Sequence, residues 1–349
     1  MKKLQALWLL MATATVGGGN FLTLSDWAKR RDPDGNTADI VEIIADVNEV
    51  IDDIIFAQAN GATGHTTTIR TGYPTGTWRL FNQGVQPSKS KTAQVTDKMG
   101  MLEDYAEVDA SLASLEDDVA AFRFSEDIAF IQGLSQTFAS VLFYGSMAEP
   151  EKFTGFANRL TGTPQETDDS VSTYNIIDAL GTGSDNTSVW LIVWGATTCF
   201  GIFPKGSKAG LNSTDKDLVT VENANGVSGA RMEAYRTHYK WDAGLVVRDW
   251  RYVVRIANID VTALKKDAAS GADLVDLMVQ ATERLPSLGM GRAAWYCNRT
   301  IRSYLRRQML NKANVWLSMG EVAGKRVMMF DEIPVRRVDA LLNTEAQVA

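Results

Sequence analysis

The stretch Gly72-Tyr-Pro-Thr-Gly-Thr-Trp-Arg-Leu-Phe-Asn-Gln-Gly-Val-Gln-Pro-Ser88 mixes turn-forming Gly and Pro with large apolar side chains. The Gly and Pro mark a loop. Before it, His65-Thr-Thr-Thr-Ile-Arg-Thr71 is β-branched and polar; after it, Ser90 to Glu107 is a second, mostly polar strand-like run. Residues 65–108 are thus predicted to form a long hairpin. Both strands are polar on most faces, and an isolated two-stranded hairpin is marginal in water. Yet the loop carries Trp78, Leu80 and Phe81. Something outside the hairpin must bury them.

Upstream, Ile40, Ile43, Ile44, Val47, Ile51, Ile54 and Ile55 recur at helical spacing, so residues 38–64 read as an amphipathic helix and its connector. Residues 1–37 form an arm. Lys2 and Lys3 followed by apolar Leu4 to Val16 imitate a secretory leader. The alternative that follows is an exported or periplasmic binding protein. A hydrophobic arm packed on a neighbouring subunit is the competing reading. Downstream, Leu112 to Gly145 contains no proline and predicts one long helix within 109–146. Its acidic start, Glu116, Asp117 and Asp118, reads as a solvated or partner-facing surface.

Residues 147–349 alternate strands with a few helices. Val189-Trp-Leu-Ile-Val-Trp194 predicts a buried strand. Trp250, Tyr252, Val254 and Ile256 alternate with Arg251, Val253 and Arg255, which predicts a strand with an apolar face. A helix from Leu274 to Leu285 stops at Pro286. Asn298 caps a helix beginning at Arg299, and Arg326–Phe330 and Pro334–Val338 read as closing strands.

Composition narrows the chemistry. The 349 residues are 45% hydrophobic and 22% charged, ordinary for a globular chain. No stretch reaches the roughly 20 apolar residues that a membrane helix needs. Two cysteines and two histidines exclude a Cys/His zinc site and a disulfide scaffold. Cys199 and Cys297 are expected to be buried free thiols. Net charge is −7, with the acidity concentrated in residues 1–150. That is a poor balance for a DNA-binding protein, although opposite halves can attract between copies. Gly201-Ile-Phe-Pro-Lys-Gly-Ser-Lys208 has its Ser and Lys in the wrong order for a phosphate loop and reads as an exposed turn. Nothing places Glu103, Asp104, Glu107 or Asp109 across a cleft as paired catalytic acids. Arg299, Arg302, Arg306 and Arg307 stud one helix, as an exposed face, a contact for another copy's carboxylates, or a DNA contact.

The order of parts resembles a phage major capsid protein with the HK97 fold, an α+β architecture. The resemblance is closer to coat proteins of short-tailed phages. It is carried by Trp78-Arg-Leu-Phe-Asn-Gln-Gly-Val-Gln-Pro-Ser-Lys-Ser90, Leu24-Ser-Asp-Trp-Ala-Lys-Arg30, Gly183-Ser-Asp-Asn-Thr-Ser-Val-Trp190, Gly201-Ile-Phe-Pro-Lys-Gly-Ser-Lys-Ala-Gly210, Trp250-Arg-Tyr-Val-Val-Arg-Ile-Ala-Asn258 and Ile333-Pro-Val-Arg-Arg-Val-Asp339. The resemblance implies that 65–108 is an E-loop reaching over the adjacent subunit. It implies that 109–146 is the spine helix of a peripheral domain, and that 147–349 is an axial domain interleaved with peripheral strands. Copies would form hexamers and pentamers of an icosahedral shell around double-stranded DNA, assembled in the host cytoplasm. A separate scaffolding protein, a portal and decoration proteins are the expected partners. No catalytic residue, cofactor or metal is expected. Trp78, Arg79, Leu80 and Phe81 are the expected inter-subunit contacts, with Arg79 near Glu116, Asp117 and Asp118. Lys89 and Lys91 are where some shells of this fold form isopeptide links, which are not expected here.

Overall fold

A computed structural model describes residues 48–115, 118–168, 171–222, 229–266, 273–311, 317–322 and 325–348. The arm, the leader-like segment and most of the amphipathic helix lie outside them. The helices are α1 (Val50–Asp53), α2 (Ala110–Ala113), α3 (Val119–Tyr144), α4 (Phe156–Arg159), α5 (Val261–Lys266), α6 (Leu274–Glu283) and α7 (Arg299–Asn311). The strands are β1 (Phe56–Gln58), β2 (Gly64–Gly72), β3 (Lys91–Asp109), β4 (Ile176–Asp178), β5 (Asn186–Trp194), β6 (Cys199–Phe203), β7 (Asn212–Glu222), β8 (Arg231–Val247), β9 (Val253–Asp260), β10 (Arg292–Cys297), β11 (Leu317–Val322), β12 (Lys325–Phe330) and β13 (Ile333–Arg337). The mixed strands and helices fit the expected α+β class. They fall into two compact units.

The larger unit holds Ala45–Leu102, Leu134–Leu211 and Trp241–Ala349. Its centre is β5, buried at all nine positions. β5 runs antiparallel to β9 and β10; β10 pairs in parallel with β13, and β12 and β11 follow. Alternation along β5 feeds two cores. Val189, Leu191 and Val193 face a core closed by α6 and α7 through Leu274, Met278, Ile301 and Leu305. Trp190, Ile192 and Trp194 face a second core with Phe138, Leu142 and Phe143 of α3. Gly201 is a β6 residue rather than part of a turn: a side chain there would run into the Phe56 ring, 2.7 Å from a built Cβ. The turn follows it, where Ser207 N–H bonds the Pro204 carbonyl.

Two sequence expectations need correction here. The amphipathic pattern continues through Ile55, but α1 ends at Asp53 and Ile54 is already extended. Asp53 is buried, and Arg292, Arg336 and the Tyr296 hydroxyl meet its carboxylate at 3.0–3.1 Å. The strand predicted from Trp250 begins only at Val253; Tyr252, Val254 and Ile256 share one core, as its apolar face predicts, and the opposite face is buried as well. Trp250–Tyr252 is a 3-10 turn, and Arg255 is buried. Its guanidinium donates to Glu345 at 2.9 Å, to Ser188 Oγ at 3.1 Å and to the Leu160 carbonyl at 3.0 Å. Ser188 and Tyr144 also donate to Glu345, each at 2.5 Å.

The smaller unit includes Glu103–Gly133 and Asn212–Lys240. Strands β7 and β8 pair antiparallel from Asn212↔Lys240 to Glu222↔Arg231. Its apolar core is small, with Val108, Ala113 and Phe122 buried and Val119 and Tyr235 against them. Charged contacts supplement it. Glu103 meets Lys240 at 3.1 Å and His238 at 3.2 Å, Arg236 meets Glu107 at 2.5 Å, and Arg123 meets Asp215 at 2.7 Å. The Lys240 hydrogen bond holds the Glu103 carboxyl below the usual range, and Arg123 does the same for Asp215. Burial instead raises Asp127.

The predicted unbroken helix from Leu112 also gives way. The chain makes the single turn α2 and starts α3 anew at Val119. Asp118 explains the restart: its carboxylate accepts the N–H groups of Ala120 and Ala121 at 2.9 and 3.0 Å. That satisfies two of the four donors a helix start leaves open. Leu115, on the predicted apolar stripe, is accordingly 47% exposed.

Candidate interaction surface

Strands β2 and β3 form the hairpin, in register from Gly64↔Lys98 to Ile69↔Ala93, with a bulge between Arg70 and Gly72. Only Thr67 and Asp97 of this paired stretch are buried. Residues 73–90 connect the strands and are exposed throughout. Within the connection, Gln83 N–H bonds the Leu80 carbonyl at 3.2 Å, closing a tight turn. Asn82, at its third position, has φ +65°. Turns of type II need that left-handed geometry, which Asn tolerates. Arg79 stiffens the same turn by donating to the Gln83 carbonyl at 3.1 Å. Ser88 ties back to the Thr75 carbonyl at 3.2 Å.

The loop is therefore shaped, but it covers none of its apolar groups. Trp78 is fully exposed, Phe81 is 96% exposed and Leu80 is 69% exposed. Single exposed apolar residues are ordinary, whereas a contiguous group marks an interaction site. Lys89 and Lys91 are exposed at its C-terminal end. Of the three acidic residues expected opposite Arg79, Asp118 is exposed but caps α3, and Glu116 and Asp117 lie outside the described residues.

A second surface is basic. Arg299, Arg302, Ser303, Arg306, Arg307 and Arg337 line an open cleft of about 330 Å³. Asn298 positions this face by capping α7, accepting Ile301 N–H at 2.9 Å. The cleft's charge is partly balanced: Asp339 pairs with Arg299 at 3.0 Å and with Arg337 at 2.5 Å, and Arg302 lies 3.7 Å from Glu49. Arg306 and Arg307 remain exposed, the latter stacked over Tyr304. Among the described residues, no group of three or more His, Cys, Asp or Glu side chains gathers as a metal site.

An apolar cavity of about 140 Å³ was not legible in the sequence. It is assembled from Gly100–Leu102, Thr137, Phe138 and Val141 of α3, Glu151–Phe153, and Trp241 and Ala243 of β8. Four separate segments contribute, and each looks like ordinary core by itself.

Comparison with known proteins follows this geometry closely. The family model for the major capsid protein GP7 matches residues 32–349. A chain of the cryo-EM structure of bacteriophage Epsilon15 is 39% identical, with a TM-score of 0.74, over 96% of this chain and 99% of that one. The bacteriophage JBD30 capsid matches at 8% identity and a TM-score of 0.44, over 95% and 97% of the two chains. The search of curated proteins returns no match.

Proposed function

The chain belongs to the major capsid protein GP7 family and is a structural subunit of a phage virion shell, and we propose that its subunits are held together through the hairpin loop. Trp78, Leu80 and Phe81 leave water by lying on the adjacent copy, as an E-loop does. The observation that carries this is a turn-braced loop whose apolar side chains are almost wholly exposed. Burying each large side chain is worth about 1.5–3 kcal/mol. An exposed ion pair made by Arg79 adds at most about 1 kcal/mol. Apolar contact therefore dominates.

In this reading copies assemble in the host cytoplasm as hexamers and pentamers, with a separate scaffold and a portal, around double-stranded DNA contacted without sequence preference. Decoration proteins are further candidate partners. The family match gives no support to the exported binding protein. Lys89 and Lys91 stay unlinked, so mature shells run on denaturing gels as one band near 38.2 kDa; a ladder of covalent multimers would contradict that. The test of the loop is Trp78→Ala combined with Phe81→Ala. The variant is expected to keep its circular dichroism and lose assembly, and Arg79→Ala to weaken assembly less. Normal assembly accompanied by a lower melting temperature would show that the loop packs within its own subunit.

A further inference from the structure

We propose that the apolar cavity beside the C-terminal half of α3 is the seat of Phe81 from a second copy of this chain. This rests on the inter-subunit reading of the loop and names the surface that receives it. The walls are aromatic: Phe138 stacks on Trp241 with ring centroids 4.3 Å apart and lies 5.9 Å from Phe153. Size selects the occupant. The cavity measures about 140 Å³, and a dry apolar cavity of about 150 Å³ binds benzene. It thus admits the single ring of Phe81 and is too small for the indole of Trp78, which would cover the rim beside Met101, itself 73% exposed. Phe81 sits at the second position of the Leu80–Gln83 turn, one of its two corners, and is 96% exposed.

One polar feature of the cavity fits the same occupant. Glu151 stands exposed among the lining residues, and Arg79 lies two residues from Phe81. The seat therefore places Arg79 beside Glu151 rather than beside the acidic residues 116–118. The chain's own loop is a poor occupant. Leu102 is eleven residues along β3 from Lys91, about 37 Å at ~3.4 Å per residue. Phe81 is ten residues before Lys91, a span of at most ~36 Å even with the connection pulled straight, and the turn at Leu80–Gln83 shortens it further.

The test replaces Phe81 with the photoreactive single-ring p-azidophenylalanine, irradiates assembled shells and maps the adduct by mass spectrometry. An adduct between chains on residues 100–102, 137–141 or 151–153 is expected. An adduct on residues 116–118 or elsewhere, an adduct within one chain, or no adduct would overturn the seat. Val141→Phe, which fills the cavity from inside, should leave the unassembled chain's melting temperature intact and abolish assembly; normal assembly would also overturn it. The two levels separate cleanly. If Trp78→Ala with Phe81→Ala assembles normally, the inter-subunit reading itself fails. If that variant fails to assemble while the adduct maps elsewhere, only the seat is wrong.

Discussion

Glu345 shows how much one side chain holds in this fold. Its carboxylate accepts from Tyr144, Ser188 and Arg255, and both members of the Arg255–Glu345 pair are 5% exposed. Removing one partner of a buried pair strands the other charge, at a cost of about 3–5 kcal/mol. Glu345→Ala should therefore lower stability by that amount in urea or thermal unfolding. Arg255→Met with Glu345→Leu, which removes both charges, should recover much of it. A loss below 1 kcal/mol for the single variant would show that Arg255 finds another partner. The cysteines make a second test at this scale. Cys199 and Cys297 are fully buried and unpaired. Burial pushes the Cys297 thiol up to about 12 and raises Cys199 as well. Because only the thiolate reacts, neither should label at pH 8 in the folded chain, and both should label after denaturation without reductant. The free thiols were legible from their apolar surroundings. The Arg255 pair was not, since the alternation in Trp250–Ile256 marks only the apolar face and the partner lies 90 positions away.

At the scale of elements, local chemistry was readable wherever it was self-contained. The hairpin limits follow from the change between β-branched runs and turn residues. The nine buried residues of β5 contain the run Val189–Trp194, and α7 begins where Asn298 caps it. The spine was misread because the apolar stripe of 112–122 continues across a capping residue. Asp118 was there to be seen as a helix start, but its acidic neighbours suggested a surface patch. Asp118→Ala should cost about 1 kcal/mol, measured by chemical denaturation, while Asp118→Asn should cost little because Asn caps comparably. Asn at this position also separates cap from contact: if it leaves stability alone but weakens assembly, the charge of Asp118 faces a neighbour.

For the whole molecule, the division of labour is between a body that is complete and a loop that is not. The larger unit buries tryptophans on β5 and β10 inside two cores, so its fold needs no partner. The loop 73–90 has shape without cover, and in the proposed reading a closed assembly of like copies supplies it. That incompleteness was visible in the sequence, because polar strands flank an apolar tip. The proposed receiving surface was hidden, because the cavity exists only once four segments meet. Hydroxyl-radical footprinting of the unassembled chain and of intact shells tests this account most directly. Trp78 and Phe81 should be oxidised readily in the unassembled chain and strongly protected in shells, with buried Trp194 and Trp295 unreactive in both. Equal oxidation of Trp78 and Phe81 in the two states would contradict it.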